Sequence, residues 1–143
     1  MVVPSSDRLH ATTVAIDGMA VMIEGASGSG KSDLALRLID RGAILVSDDQ
    51  TLVVRAGATL LARAPTTIAG RIEVRGIGIL AMPYVEDVPV ALFVRLGGAI
   101  ERMPERHARK IAGVDVREVA IDPFEVSAPI KVELALRNPE PIE

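Results

Sequence analysis

Residues 25–32 read Gly-Ala-Ser-Gly-Ser-Gly-Lys-Ser and match the pattern G-x-x-x-x-G-K-[ST] at every fixed position. Glycines let the backbone adopt positive φ angles, so that consecutive N–H groups can point at one anion. Lys31 adds a mobile positive charge for the β- and γ-phosphates, and the Ser32 hydroxyl can ligate Mg²⁺. The segment therefore predicts a phosphate loop for ATP or a similar nucleotide. The residues predicted to bind the nucleotide are Gly25, Ala26, Ser27, Gly28, Ser29, Gly30, Lys31 and Ser32.

The residues on either side of this loop supply the elements that the motif requires. Residues 19–23 form an apolar run typical of a buried strand. After the loop, Leu34, Ala35 and Leu38 recur at helical spacing, and Gly42 ends the helix. An ordinary glycine-rich turn is the alternative, but the order strand, loop, helix favours nucleotide binding.

Two adjacent carboxylates, Asp48 and Asp49, follow a strand predicted at residues 43–46. They resemble a Walker B element that comes unusually early, one helix and one turn after Lys31. If this strand lies beside the loop strand in a parallel βαβ unit, its carboxyl end meets the phosphate end of the sheet. One carboxylate could then hold Mg²⁺ with Ser32, and the other could accept a proton from an attacking hydroxyl. A solvated turn is the alternative.

Further candidates for the site are single charged residues. Glu73 and Arg75 flank Val74 and point to the same face of a predicted strand, where they could bind a metal and a phosphoryl group. An exposed ion pair is the alternative for these two. Arg102 could reach the transferred phosphoryl group, and His10 is expected at a strand end near the loop.

The remaining pattern predicts an α/β fold, with a P-loop-containing mixed β-sheet and few helices. Residues 10–16 are strand-like, and Asp17-Gly18 is a good two-residue turn, so this strand should run antiparallel to the loop strand. We expect one domain over residues 1–143, with a loose leader at 1–9 and a frayed tail at 138–143. Further strands are predicted at 51–55, 59–63, 72–75, 90–96, 114–121 and 130–136, and a short helix at 104–112.

Composition excludes several classes of protein. Hydrophobic residues make up 49% of the chain and aromatic residues only 2%, which indicates an aliphatic core. The net charge of −3 argues against a general nucleic-acid binder. Without cysteine, the chain has no disulfides, cysteine zinc sites or thiol catalysis. No signal peptide or membrane span is evident, so we expect a cytoplasmic protein without membrane or nucleic-acid partners.

Four stretches in collinear order resemble the catalytic domain of HPr kinase/phosphorylase, in its short proteobacterial form. The first is Leu9-His10, followed by a hairpin and residues 25–32. The second, at residues 41–49, reads Arg-Gly-Ala-Ile-Leu-Val-Ser-Asp-Asp. The third and most specific, at residues 72–79, reads Ile-Glu-Val-Arg-Gly-Ile-Gly-Ile, and the fourth is Ile-Glu-Arg-Met at residues 100–103.

The resemblance implies a serine kinase of the HPr kinase catalytic-domain fold. The family transfers the γ-phosphoryl group of ATP, with Mg²⁺, to a serine of HPr, a phosphocarrier of the sugar phosphotransferase system, and so regulates carbohydrate metabolism. Many members also remove that group with inorganic phosphate and release pyrophosphate, and members assemble as homohexamers. The resemblance assigns the base to Asp48, the metal to Ser32, Asp49 and Glu73, and phosphoryl stabilisation to Arg75, Arg102 and His10.

Two other functions remain open from the residues alone. A nucleotide-sensing module without turnover would use the phosphate loop, but simple binding would not require Asp48, Asp49, Glu73, Arg75 and Arg102 together. A small-molecule P-loop kinase would ordinarily have an arginine-bearing lid and a later acidic strand, and neither pattern is evident here.

Overall fold

Eleven strands and two helices make up residues 6–140, the part of the chain that this computed structural model describes. The first six strands are β1 (Ser6–Leu9), β2 (Ala11–Ile16), β3 (Met19–Glu24), β4 (Ile44–Ser47), β5 (Thr51–Ala56) and β6 (Thr59–Arg63). The others are β7 (Arg71–Val74), β8 (Gly78–Ala81), β9 (Val88–Leu96), β10 (His107–Ile111) and β11 (Val114–Ile121). The helices are α1 (Lys31–Asp40) and α2 (Ala128–Arg137). No helix within the described range has the length and apolar character needed to cross a bilayer.

A curled, mixed sheet of nine strands carries the fold, in the order β1-β5-β6-β9-β3-β2-β4. Strand β11 also pairs with β9, and β10 pairs with β11. The first residues of β9 pair antiparallel with β6, whereas its later residues run parallel to β3 and β11. Strands β7 and β8 form a separate hairpin. The predicted mixed α/β fold with few helices is thus confirmed.

The hairpin between β2 and β3 forms as the Asp17-Gly18 pair predicts. Both turn residues have positive φ, 51° for Asp17 and 77° for Gly18, which is the backbone of a type I′ turn. The strands pair over their full length, from Ile16 opposite Met19 to Ala11 opposite Glu24. This register brings His10, directly before β2, to the start of the phosphate loop.

Strand β4 does not lie beside β3, and the parallel βαβ neighbour considered from the sequence is wrong. Strand β2 lies between them and pairs antiparallel with both. The tight hairpin holds β2 against β3, so β4 pairs with the other edge of β2. Because β2 runs antiparallel to both neighbours, β3 and β4 point the same way. The acidic pair after β4 therefore still arrives at the phosphate end of the sheet.

The core fills both faces of the sheet with aliphatic side chains. On one face, α1 and α2 pack Leu34, Leu38 and Val132 against the sheet. On the other face, Phe93 is the largest buried side chain, packed with Met22 and neighbouring residues. This double burial encloses the central strand β3, which leads into the phosphate loop.

The helix predicted over residues 104–112 is wrong, because this segment contains β10. Its residues pair antiparallel with β11, from His107 opposite Glu118 to Ile111 opposite Val114. The turn residues Ala112 and Gly113 have φ angles of 48° and 83°, which suit a two-residue hairpin. The helix-like order of acidic and basic residues was therefore misleading, since the edge of β11 offers backbone partners to an extended chain.

The strand predicted over residues 130–136 is also wrong, because the segment belongs to α2. Pro129 lies in the first turn, where its missing N–H costs no hydrogen bond. Val132 and Leu136, four residues apart, are both buried. Arg41 at the end of α1 binds the buried Glu133 with two nitrogens at 2.9 and 2.7 Å, which ties the helices together.

The predicted loose leader is wrong for residues 6–9, which form β1. They pair antiparallel with β5, from Ser6 opposite Val54 to Leu9 opposite Thr51. The free edge of β5 supplies these hydrogen bonds, and no apolar pattern in the leader indicated them. Residues 1–5 of the leader and 141–143 of the predicted tail lie outside the described residues.

Candidate active site

The phosphate loop connects β3 to α1 and has the backbone that its glycines predict. Gly28 and Gly30 have φ angles of 80° and 100°, and Gly30 precedes the first turn of α1. A side chain at Gly25 would collide with the Ser29 hydroxyl. The Ser29 N–H donates to the Ala26 carbonyl at 2.9 Å and closes the loop. The loop is thus a tight cradle at a helix N-terminus, which favours an anion.

Lys31 and Ser32 connect the phosphate loop to the acidic pair. The Lys31 ammonium is buried and donates to the Gly25 carbonyl at 2.8 Å, so its side chain folds back over the loop. It lies 3.9 Å from the Asp49 carboxylate. The Ser32 hydroxyl donates to Oδ1 of Asp48 at 2.6 Å. The loop and the acidic pair therefore meet directly.

Asp48 is buried and surrounded by hydrogen-bond donors. Besides Ser32, the Thr12 hydroxyl donates to its Oδ1 at 3.1 Å. The Glu73 backbone N–H donates to its Oδ2 at 2.9 Å. Both carboxylate oxygens are thus engaged, and β2, α1 and β7 are all joined through this one side chain.

Asp49, the next residue, is exposed and makes different contacts, whereas Asp48 is buried. The φ of 67° at Asp49 lies in the left-handed region, which aspartate adopts more often than most other residues with a side chain. Its N–H donates to the Thr12 hydroxyl oxygen at 3.0 Å. Its carboxylate is 56% exposed and lies 3.0 Å from Nε2 of His10.

A cavity of about 360 Å³ opens beside the acidic pair. Glu73 lines this cavity, and its predicted role as a metal ligand stays a prediction. Arg8 and Arg71 line it too, although neither was singled out from the sequence. The lining residues are Arg8, Asp48, Asp49, Gln50, Pro65, Thr67, Ile68, Arg71, Glu73 and Ile79.

Comparison with known proteins identifies a family with the same sequence features. A model of the HPr serine kinase C-terminal domain matches residues 3–85, which include the phosphate loop, the acidic pair and β7. The chain belongs to this family. The HPr kinase/phosphorylase of Clostridium tetani is 38% identical over 93 residues, covering 65% of this chain and 30% of that protein. The HPr kinase/phosphorylase of Burkholderia lata is 34% identical over 147 residues, covering 91% of this chain and 45% of that protein.

A solved structure extends the likeness to the part beyond residue 85. The Hpr(Ser) kinase/phosphatase from Coxiella burnetii superposes with a TM-score of 0.80 at 30% identity, covering 92% of this chain and 95% of that one. The family fold therefore includes β9 to α2. The chain spans less than half the length of the two curated relatives described here.

Two of the predicted site residues do not contact the phosphate loop or the acidic pair within the described range. Arg75 follows β7 and is exposed, and Arg102 is exposed in the segment between β9 and β10. Within residues 6–140, neither has a hydrogen bond or ion pair to the phosphate loop or the acidic pair. Their role in stabilising a phosphoryl group stays a prediction.

Thr12 is a site residue that the sequence reasoning missed. Its hydroxyl joins Asp48 to the backbone of Asp49, as described above, and its side chain is fully buried. In the sequence, Thr12 contributed only to the strand propensity of residues 10–16. The signal that could have identified Thr12 is its hydroxyl near the start of β2, opposite the end of β3 that leads into the phosphate loop.

Arg109 supports the strand that leads into the phosphate loop and was also missed. It donates to Glu24, directly before Gly25, at 2.6 Å and to Glu118 at 2.7 Å, and its guanidinium lies 4.2 Å from the Phe93 ring centre. Burial lowers the pKa of Arg109, but hydrogen bonds and charge attraction from Glu24 and Glu118 outweigh this, so its pKa lies above the ordinary value. Because residues 104–112 were predicted as a helix, this contact was not anticipated from the sequence.

The oxygen atoms at the loop fit a magnesium ion that phosphates help to hold. Mg²⁺ prefers hard oxygen ligands and is commonly bound by one or two carboxylates together with substrate phosphates and water. The Ser32 hydroxyl and the Asp48 carboxylate are two such ligands, 2.6 Å apart. Among residues 6–140, no group of three His, Cys, Asp or Glu side chains forms a complete protein cage.

Proposed function

We propose that this chain is an ATP-dependent protein serine kinase that acts on HPr or an HPr-like phosphocarrier in the cytoplasm and so regulates carbon metabolism. The observation that supports it best is a phosphate loop whose Ser32 binds the buried Asp48, while the partly exposed Asp49 contacts His10. Such an arrangement offers one carboxylate to the nucleotide side and a second to an acceptor. Relatives named HPr kinase/phosphorylase support the substrate class and a reverse phosphorylase reaction.

In this proposal, the loop residues 25–32 bind ATP through their N–H groups, and Lys31 binds the β- and γ-phosphates. Ser32 and Asp48 would hold Mg²⁺, with Glu73 nearby in the same cavity. The metal, when bound, would neutralise the charge that develops on the phosphates. His10 would orient the Asp49 carboxylate, which it contacts at 3.0 Å.

The geometry supports Asp49, rather than Asp48, as the base, which exchanges the roles inferred from the sequence. A general base must come within hydrogen-bond distance of the proton that it removes. Both oxygens of Asp48 already accept hydrogen bonds inside the protein, whereas the Asp49 carboxylate is 56% exposed. An incoming serine can therefore reach Asp49 without breaking the site.

The forward reaction then transfers one proton and one phosphoryl group. The serine Oγ–H bond breaks, its proton goes to the Asp49 carboxylate, and Oγ forms a bond to the γ-phosphorus. The bond from this phosphorus to the β-phosphate oxygen breaks, and ADP leaves. In phosphorolysis, an oxygen of hydrogen phosphate bonds to the phosphoserine phosphorus, the bond from this phosphorus to the serine Oγ breaks, and pyrophosphate leaves; the proton of the attacking phosphate passes through Asp49 to the serine oxygen. Arg75 and Arg102 are proposed to stabilise the transferred group.

The test is transfer of label from γ-labelled Mg·ATP to the serine of a purified HPr-type carrier. We expect transfer by the parent chain, and loss of transfer in Lys31→Ala, Asp48→Asn and Asp49→Asn. Calorimetry should find Mg·ATP affinity retained in Asp49→Asn and weakened in Asp48→Asn. Asp115→Asn, at an exposed position of β11, is the matched control and should transfer normally. A fully active Asp49→Asn variant would exclude it as the base.

A nucleotide sensor without turnover remains the second candidate. The exposed positions of Arg75 and Arg102, without contact to the loop, favour it, because a sensor needs no phosphoryl-stabilising arginine. Tight Mg·ATP binding by a folded protein that labels no carrier would support the sensor over the kinase.

We also propose a homo-oligomer, a hexamer by the resemblance. Exposed apolar side chains along α2, such as Ile130 and Leu134, are compatible with an interface. Sedimentation equilibrium at several concentrations measures the assembly, and a monomer throughout would reject it.

A further inference from the structure

Phe124 is an exposed aromatic side chain beside the phosphate loop. It follows β11 and is 81% exposed, in a protein where only 2% of residues are aromatic. A Cβ built on Gly30 would lie 3.4 Å from Cβ of Pro123 and 4.0 Å from Cε1 of Phe124. The ring therefore lies near Gly30, the loop residue directly before α1.

The segment that carries Phe124 is held in place by several hydrogen bonds. Arg37 of α1 donates to the Pro123 carbonyl, and to the Glu125 carbonyl at 3.4 Å. The Phe124 N–H donates to the Asp122 carboxylate at 3.0 Å. An exposed ring on an anchored backbone loses little conformational entropy when a flat ligand covers it.

The sheet order places this ring across the loop from the acidic pair. Asp48 and Asp49 follow β4, and β2 and β4 lie on one side of β3. Phe124 follows β11, and β9 and β11 lie on the other side of β3. In a phosphate loop, the backbone N–H groups bind the α- and β-phosphates, the lysine reaches the β- and γ-phosphates, and the hydroxyl after the lysine ligates Mg²⁺. A triphosphate that ends at Ser32 and Asp48 therefore directs its nucleoside away from them, toward the β11 side.

We propose that Phe124 is a stacking platform for the base of the bound nucleotide. This inference rests on the proposed nucleotide binding and adds the part of the site that holds the nucleoside. Stacking on an aromatic ring tolerates every base, because each base has a π-face. Phe124 thus contributes affinity for nucleoside triphosphates in general, and it contributes nothing to the binding of the phosphates alone.

The test compares ligands with and without a base, by titration calorimetry on the full chain with Mg²⁺. Phe124→Ala should weaken the binding of ATP and of GTP by about 5- to 20-fold, within the range known for base–aromatic stacking. Its affinity for inorganic tripolyphosphate should equal that of the parent chain. Phe124→Tyr should restore nucleotide affinity. Val126→Ala is the matched control, since Val126 is 94% exposed on the same segment and should leave all three affinities unchanged.

A second variant gives a direct optical signal. With no native tryptophan, Phe124→Trp places a single reporter in the chain. Its fluorescence should be quenched by Mg·ATP and not by tripolyphosphate. Saturating Mg·ATP without quenching would contradict stacking.

The outcomes separate this inference from the proposed function. Unchanged ATP affinity in Phe124→Ala overturns the inference, and so does an equal loss for tripolyphosphate, which would mean that the ring shapes the loop. A changed sedimentation coefficient with unchanged ATP affinity would make Phe124 an interface residue and also overturn it. If the folded parent chain binds neither ATP nor tripolyphosphate, nucleotide binding itself fails.

Discussion

Replacing Thr12 with valine tests whether a single hydroxyl holds both acidic residues in position. Thr12 is fully buried, its hydroxyl donates to Asp48 at 3.1 Å, and its oxygen accepts the Asp49 N–H at 3.0 Å. Valine has nearly the same shape but can do neither. The substitution thus removes one donor from a buried carboxylate and leaves one backbone N–H without its partner.

The expected loss of stability follows from these two contacts. A hydrogen bond to a charged group contributes about 1.5–3 kcal/mol, and an unsatisfied buried donor costs about 1–3 kcal/mol, of which the part-buried Asp49 N–H should cost the lower end. The extra apolar methyl of valine offsets part of this sum, so we expect a net loss of about 2–4 kcal/mol. At about 2–4 °C per kcal/mol for a chain of this size, the melting temperature should fall by roughly 4–16 °C.

Denaturation in guanidinium chloride measures the free energy of unfolding. Thr12→Ser keeps the hydroxyl and is expected to keep most of the stability of the parent chain. Thr13→Val is the matched control at the next position, because its buried hydroxyl contacts only the Thr51 hydroxyl, at 2.8 Å, among the described hydrogen bonds. It should lose about 1 kcal/mol. Phosphoryl transfer should fall in Thr12→Val and persist in Thr13→Val. Equal stability and equal transfer in these two valine variants would show that the Thr12 hydroxyl does not hold the acidic pair in position.

Three further substitutions test parts of the fold that position the site. Leu38→Ala should lower the free energy of unfolding by about 2–5 kcal/mol, since Leu38 is fully buried, and a loss below 1 kcal/mol in urea denaturation would contradict its place in the core. Gly18→Ala should cost about 1–2 kcal/mol from strain alone, because its φ is 77° and its surroundings are open, and denaturation of Gly18→Asn should recover part of this. Arg109→Met leaves Glu24 and Glu118 without their shared partner and should cost about 1–3 kcal/mol, less than for a buried pair because the arginine side chain is 30% exposed. The double variant Glu24→Gln/Arg109→Met should recover part of that loss in thermal unfolding. If the losses of the two single variants simply add, the contact between Glu24 and Arg109 is excluded.

Local patterns predicted the parts of the fold that depend on near neighbours. The Asp17-Gly18 turn and the strands beside it need only a few adjacent residues, and the structure has both. The glycines and Lys31 of the phosphate loop likewise specify a strand, a cradle and a helix within a short segment. In such segments, the backbone preference and the apolar pattern agree.

Three elements were mistaken: β1, which pairs with β5 far along the chain, β10 and α2. Strand β10 exists because β11 offers a paired edge and because Arg109 finds Glu24 and Glu118. Helix α2 exists because Val132 and its neighbours pack on α1 and the sheet. Arg109 reaches Glu24 from 85 positions away and α2 packs on the distant α1, whereas β10 joins β11 through the two-residue turn Ala112-Gly113, which the helix interpretation overlooked. Local propensity was a weak guide to β10 and α2.

The chemical components of the site are readable from the amino-acid sequence: a phosphate loop at residues 25–32, an acidic pair at residues 48–49, and a histidine next to the hairpin strand. Their residue types and short spacings are local properties, and they carry enough information to indicate the family. The geometry among these components depends on the folded chain. Tertiary contacts place β2 between β3 and β4, bring Asp48 to Ser32 and Asp49 to His10, and set Phe124 near Gly30. Those contacts join residues that lie far apart in the chain, and their formation depends on strand pairing and core packing across the whole sheet.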